Sequence, residues 1–162
     1  MSTIEITEQG GEQVARLFQR LTSAANDFTP LMRAVAGTLA DETEQNFADQ
    51  GRPSWVPLAE ITLKKRRDPK RKKKEGPPRF GSGSHMILQD AGHLAASISG
   101  SYSRDFAVIG SSAVYARIHQ LGGQAGKNHA VTIPARPYFH VSQEGWDAIS
   151  DAVGRFIANS VR

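Results

Sequence analysis

The residues that could do chemistry in this 162-residue chain are five histidines, a glycine-rich loop with a lysine, and a dense basic run. His85, His93, His119, His129 and His140 stand too far apart for two imidazoles to share a helical turn beside a carboxylate, as a helical zinc site requires. The chain has no cysteine, which removes disulfides, thiolate nucleophiles and cysteine-bound zinc or iron–sulfur centres. The stretch "GGQAGKN" (Gly122–Asn128) looks like a phosphate-binding loop, but its glycines are one residue too close. Asn128 also stands where a magnesium-binding Ser or Thr is needed, and a helix instead of a strand precedes it. No Gly-x-Ser-x-Gly elbow sits between a strand and a helix; "GSGS" lies in a Gly/Pro/Ser-rich stretch. Asp41, Glu42 and Glu44 read as the solvated face of a helix, not as paired acids. These observations argue against catalysis, a cofactor or a metal.

The basic run is the remaining candidate. Between Lys64 and Arg79, ten Lys/Arg face Asp68 and Glu75, a local net charge of +8; the rest of the chain carries ten basic and fourteen acidic residues, a net of −4. Lys64, Lys65, Arg66, Arg67, Lys70, Arg71, Lys72, Lys73 and Lys74 are therefore candidate contacts to DNA phosphates or to an acidic partner. No aromatic is interleaved among them, so base stacking is unsupported, and any DNA contact would be sequence-independent and salt-sensitive. A solvated loop is the plain alternative; a nuclear localisation signal fits the letters only in a eukaryotic context. The segment 64–85 lacks the apolar residues to offset chain entropy, and the expectation is a flexible basic insertion within one domain, 1–162.

The elements that must position these residues follow from periodicity. "TIEIT" (Thr3–Thr7) alternates like a half-buried strand. Val14, Leu17, Phe18 and Leu21 form the stripe of an amphipathic helix. Thr29 and Pro30 mark the start of a second helix, with Leu31, Val35 and Leu39 inward and Gly51 as its stop. Pro53 and Pro57 break the pattern, with Trp55 and Leu58 folding back on the core. Asp90 is placed to cap a short helix carrying Leu94. A hairpin is expected across Ile98–Val108, turning near Arg104–Asp105. Val114, Ile118 and Leu121 share the face of a short helix that Gly122 ends. A strand at Ala130–Ile133 breaks at Pro134 and Pro137 and resumes near Tyr138. Ser142 caps a last helix whose Trp146, Ile149, Val153, Phe156 and Ile157 are expected to be buried. The class is α+β, a small antiparallel sheet packed by N-terminal and C-terminal helices. No apolar run reaches the about 20 residues of a membrane span, and the N-terminus lacks the charged-then-apolar pattern of a secretion signal.

Four patches, "GRPSWVPLAEITLKKR", "ILQDAGHLAASI", "IGSSAVYARIHQLGG" and "IPARPYFHVS", run in order from Gly51 to Ser142. Together they resemble the phage virion morphogenesis family, the tail completion proteins of Mu-like phages. The chain departs from the family pattern at Ala91 and His93, where Thr and Arg are expected. The resemblance implies a structural protein of the virion, present in the host cytoplasm during assembly, that finishes the tail and helps join it to the head. It implies a homo-oligomeric ring, six-fold in related neck proteins, whose partners are further copies and the tail tube or neck. A closed ring needs two different complementary patches on each subunit. Trp55, Tyr115, His119, Gln120, Arg136 and Tyr138 are the candidate assembly residues. For Trp55 and Tyr138, plugging the core is an equal alternative, and for Arg136 an intramolecular contact is. The basic loop would face the channel or await its partner. The competing reading is a small nucleic-acid-binding module acting through that loop.

Overall fold

The computed structural model describes residues 11–67 and 86–160. The strand expected at Thr3–Thr7 and the basic residues from Lys70 to Lys74 lie outside them. Helices α1 (Gly11–Ala25), α2 (Thr29–Ala48) and α3 (Glu60–Arg67) come first. The short α4 (His93–Ala96), the strands β1 (Ile98–Tyr102) and β2 (Ala107–Ser111), and α5 (Ala116–Leu121) follow. Strands β3 (Gly123–Ala125) and β4 (Val131–Ile133) flank a 3-10 turn, and α6 (Gln143–Ser160) ends the described chain. The α+β class is confirmed. The strands form two separate antiparallel pairs: β1 with β2 (Ile98 opposite Ser111, Tyr102 opposite Ala107), and β3 with β4. Helix α2 is the spine, lying against α6 on one side and the β1–β2 hairpin on the other, with α1 against α6.

Local chemistry accounts for most of these boundaries. Pro30 stands in the first turn of α2, where its missing N–H costs nothing. Thr29 is already helical, Phe28 stands at the cap position without a side-chain cap bond, and the Asp27 carboxylate accepts the Thr29 N–H at 2.9 Å from just before the helix. Past the end of α2, Gly51 has φ +100°, and a Cβ there would come within 2.4 Å of the Trp55 indole. Only glycine allows the chain to reverse so closely over the ring. Gly122 ends α5 as anticipated.

The core joins Phe47, Trp55, Ile87, Leu94, Ala116 and Tyr138. Phe47 meets Trp55 edge-on at 5.8 Å and Tyr138 at 5.5 Å, the geometry that aromatic quadrupoles favour.

Several expectations are corrected. Val114 is 98% exposed and Leu121 is exposed too, because α5 turns Ala116 inward. Helix α6 buries Gly145 and Ala152, while Trp146, Val153 and Ile157 of its apolar stripe remain exposed. Glu42 is buried, not solvated. No strand forms near Tyr138, where Pro134 and Pro137 deny the backbone a ladder. Conversely, "GQA" forms β3, since Gly122 redirects the chain back alongside β4. Gly92, not Asp90, precedes α4. Residues 64–67, expected to begin the flexible insertion, continue helix α3.

Candidate assembly interface

The four sequence patches, separated by up to 90 positions, converge beside the C-terminal end of α2. Their backbones run irregularly there, and buried carbonyls and N–H groups outside a ladder must find side-chain partners. Trp55 Nε1 donates to the Pro137 carbonyl at 3.2 Å. Arg136 donates from Nε to the Val56 carbonyl at 3.0 Å and from Nη2 to the Pro57 carbonyl at 3.1 Å. Its own N–H donates to the His119 carbonyl at 2.7 Å. Gln120 Oε1 accepts the N–H groups of Tyr138 and Phe139 at 3.0 and 3.2 Å. The Tyr138 hydroxyl donates to the Ala116 carbonyl at 3.0 Å. The second patch is tied in by Gln89, which donates to the Phe47 carbonyl, and by Ile87, whose N–H donates to Gln50 Oε1.

A second polar knot lies at the junction of α2 and α6. Asn46 is fully buried and donates to the carbonyls of Tyr138 and His140 at 3.1 and 2.7 Å. Arg52 Nε donates to Asn46 Oδ1, and Arg52 Nη2 lies 3.1 Å from Glu42 Oε2. The same Glu42 oxygen accepts the Ser142 N–H at 2.7 Å. Ser142 Oγ in turn accepts the Gly145 N–H, capping α6 as the sequence suggests. Burial works to raise the Glu42 pKa, but the hydrogen bonds from Ser142 and the Arg52 charge outweigh it and leave the carboxyl below its ordinary value.

The candidate residues thus divide into two sets. Trp55, Arg136 (6% exposed) and Tyr138 (1% exposed) point into the protein and serve as struts of the fold. Rigid proline-flanked backbone turns Arg136 onto carbonyls of its own chain. Burial raises the Tyr138 pKa; burial and the nearby Arg66 charge lower that of Arg136. Gln120 is half-buried and committed to the loop after Pro137. Tyr115 is exposed, its ring edge-on to His119 at 6.0 Å. His119 is half-buried; burial and then the Arg136 charge lower its pKa, and its Nδ1 has no hydrogen-bond partner among the described residues.

Of the basic run, Lys64 and Lys65 are exposed on α3 and Arg67 is its last residue. Arg66 is turned inward, donating to the Met86 carbonyl at 2.6 Å and lying 3.4 Å from an Asp90 carboxylate oxygen. It therefore holds the start of the second patch against α3.

Beside these struts lies a groove of about 930 Å³ whose walls include Val56, Ile61, His93, Tyr115, Val131 and Pro134. Val56, Ile61, Tyr115 and Val131 are exposed. Further apolar side chains are exposed on two packed helices: Val14 and Phe18 (64% exposed) on α1, Trp146 (54% exposed) and Ile157 on α6. Helical periodicity finds these stripes but does not say whether the same chain covers them. Among the described residues no group of three His, Cys, Asp or Glu could hold a metal, and no helix is long and apolar enough to cross a membrane.

Residues 10–158 match the phage virion morphogenesis family. The chain is 34% identical over 149 residues to "Mu-like prophage FluMu G protein 2" of Haemophilus influenzae, covering 91% of this chain and 92% of that protein. It is also 34% identical over 135 residues to "Putative capsid assembly protein G" of Escherichia phage Mu, covering 80% of each. No solved structure matches.

Proposed function

The chain belongs to the phage virion morphogenesis family, and from that premise we propose that it completes the phage tail and supports head–tail joining as a homo-oligomeric ring. The coarser role, a structural protein of particle assembly and not an enzyme, rests on the family and on relatives named for a prophage G protein and capsid assembly. The observation that carries the finer reading is the set of exposed large apolar side chains on α1 and on α6, beside a body braced by buried polar struts. Trp146 and Phe18 are large, exposed and on adjacent helices, and aromatic residues of this kind anchor protein interfaces. Further copies, in a ring of six or another number, and the tail tube or neck protein are the proposed partners. Virion and host cytoplasm are the proposed locations.

Trp146→Glu tests this. The variant keeps the fold, since the side chain is already exposed, and abolishes completed particles in a complementation assay. Wild-type particle yield from a folded W146E protein overturns the reading.

The second reading, nucleic-acid binding through the basic run, has one supporting observation: Lys64 and Lys65 project from α3 into solvent. A monomer that binds DNA with steep salt dependence, and whose loss of DNA binding is the sole defect of a basic-run variant, would favour it.

A further inference from the structure

We infer that the groove between α3, α4 and β4 receives an extended acidic–apolar segment from a second copy of this chain, residues Thr3–Glu8. This rests on the proposal that the protein assembles with itself.

Three features of the groove select such an occupant. The first is charge. Among the described groups lining it, Arg66 and Asp90 lie 3.4 Å apart as an ion pair, and Arg136 is a further cation. Arg136 is buried and held by two carbonyl dipoles, with no carboxylate within ion-pair distance among the described residues. A desolvated guanidinium in that state gains from an incoming carboxylate. The second is the wall chemistry. Val56, Ile61 and Val131 are exposed, so an occupant must bring apolar side chains as well as an acid; this disfavours a nucleic-acid backbone. The third is β4 itself. It lines the groove and pairs with β3 along one edge, while its other edge has no strand among the described residues. A free edge with side-chain pockets beside it is the geometry of strand addition.

The chain carries a segment that fits. "TIEITE" (Thr3–Glu8) sets Ile4 and Ile6 against Glu5 and Thr7, apolar and polar in alternation, and adds Glu8. Added as a strand, it would send alternate side chains to opposite sides, one set to the apolar wall and one toward Arg136. The exchange is heterologous: the groove of one copy takes the segment of the next. That arrangement propagates around a ring until it closes.

Two full-chain variants test this by sedimentation across concentration. Ile4→Asp with Ile6→Asp spoils the segment, and Val131→Glu spoils the groove at an exposed residue. Val56→Glu serves as a second groove variant should V131E fail to fold. Each weakens self-association at least tenfold, with its thermal midpoint equal to that of wild type at a dilution where both are monomeric. Mixing the two in equal amounts restores a 1:1 dimer and nothing larger, since only one intact groove and one intact segment remain to meet. Self-association as strong as wild type in either variant overturns the inference while leaving ring assembly standing. A mixture with no dimer overturns it as well, since the segment then does not pass between copies. Wild type that stays monomeric at every concentration overturns both.

Discussion

Glu42 and Ser142, 100 positions apart in the chain, are joined by a hydrogen bond of 2.7 Å from the Ser142 N–H to the Glu42 carboxylate. One side chain of α2 thereby sets where α6 begins, and the Arg52 guanidinium 3.1 Å away balances its charge.

Glu42→Gln is expected to destabilise the protein by about 2 kcal/mol at neutral pH, through loss of the charge-assisted bonds that the carboxylate takes from Ser142 and Arg52. The carboxyl lies below its ordinary value near 4.5 in the folded state. The folded chain therefore binds fewer protons than the unfolded one, and the stabilisation is complete above that value. It is lost as pH falls through the folded pKa. Denaturant melts of the two proteins should differ most near pH 7 and converge in acid. A gap that does not change with pH would show that the charge of Glu42 is immaterial.

Asn46→Ala should cost roughly 2–3 kcal/mol, since it orphans the buried Tyr138 carbonyl, frees the part-buried His140 carbonyl and takes an acceptor from Arg52. The loss appears as a lower urea midpoint with an unaltered slope. A loss below about 0.5 kcal/mol would mean that water replaces the amide without penalty.

Two glycine substitutions separate space from propensity. At Gly37, in the middle of α2, an added Cβ meets nothing within 4 Å. Gly37→Ala should therefore raise stability by about 0.5–1 kcal/mol. At Gly145 the same methyl lands 2.7 Å from the Glu42 carboxyl carbon. Gly145→Ala should destabilise by about 1–3 kcal/mol despite alanine's better helix propensity. Thermal melts that rank the two variants the other way would refute the packing at the α2–α6 junction.

Replacing Lys70, Arg71, Lys72, Lys73 and Lys74 by Ser should leave the circular dichroism spectrum and melting temperature unchanged while impairing particle assembly or DNA retention. If the run contacts phosphates, the slope of log K against log salt becomes shallower by up to about 4, following five cations removed. Unchanged infectivity and DNA retention would remove the run from the mechanism; a loss of folding would show that it belongs to the core.

Elements whose logic is local were legible in the sequence. Pro30 opening α2, the β1–β2 hairpin, Gly122 ending α5 and Ser142 capping α6 all follow from neighbours within a few positions. The four patches, far apart in the chain, meet in space because they supply the struts beside the end of α2. What could not be read is what depends on partners far along the chain. Glu42 sits on a face that its own helix marks as polar, and only Arg52 and Ser142 make its burial tolerable. Arg136 resembles a displayed cation until Val56 and Pro57 are placed beside it. The stripe of Trp146, Val153 and Ile157 was found correctly and given the wrong neighbour: periodicity identifies an apolar face, and these residues of it stay exposed where the rest of the described residues pack.

The reach of Asn46 has a consequence for synthesis. Its partners emerge from the ribosome more than 90 residues after it does. Helix α2 must therefore wait, with its Asn46 amide held by water, until Tyr138 and His140 have been made. Packing at this end of α2 is then governed by slow long-range closure, and a message cut short before Tyr138 yields a product without its central strut.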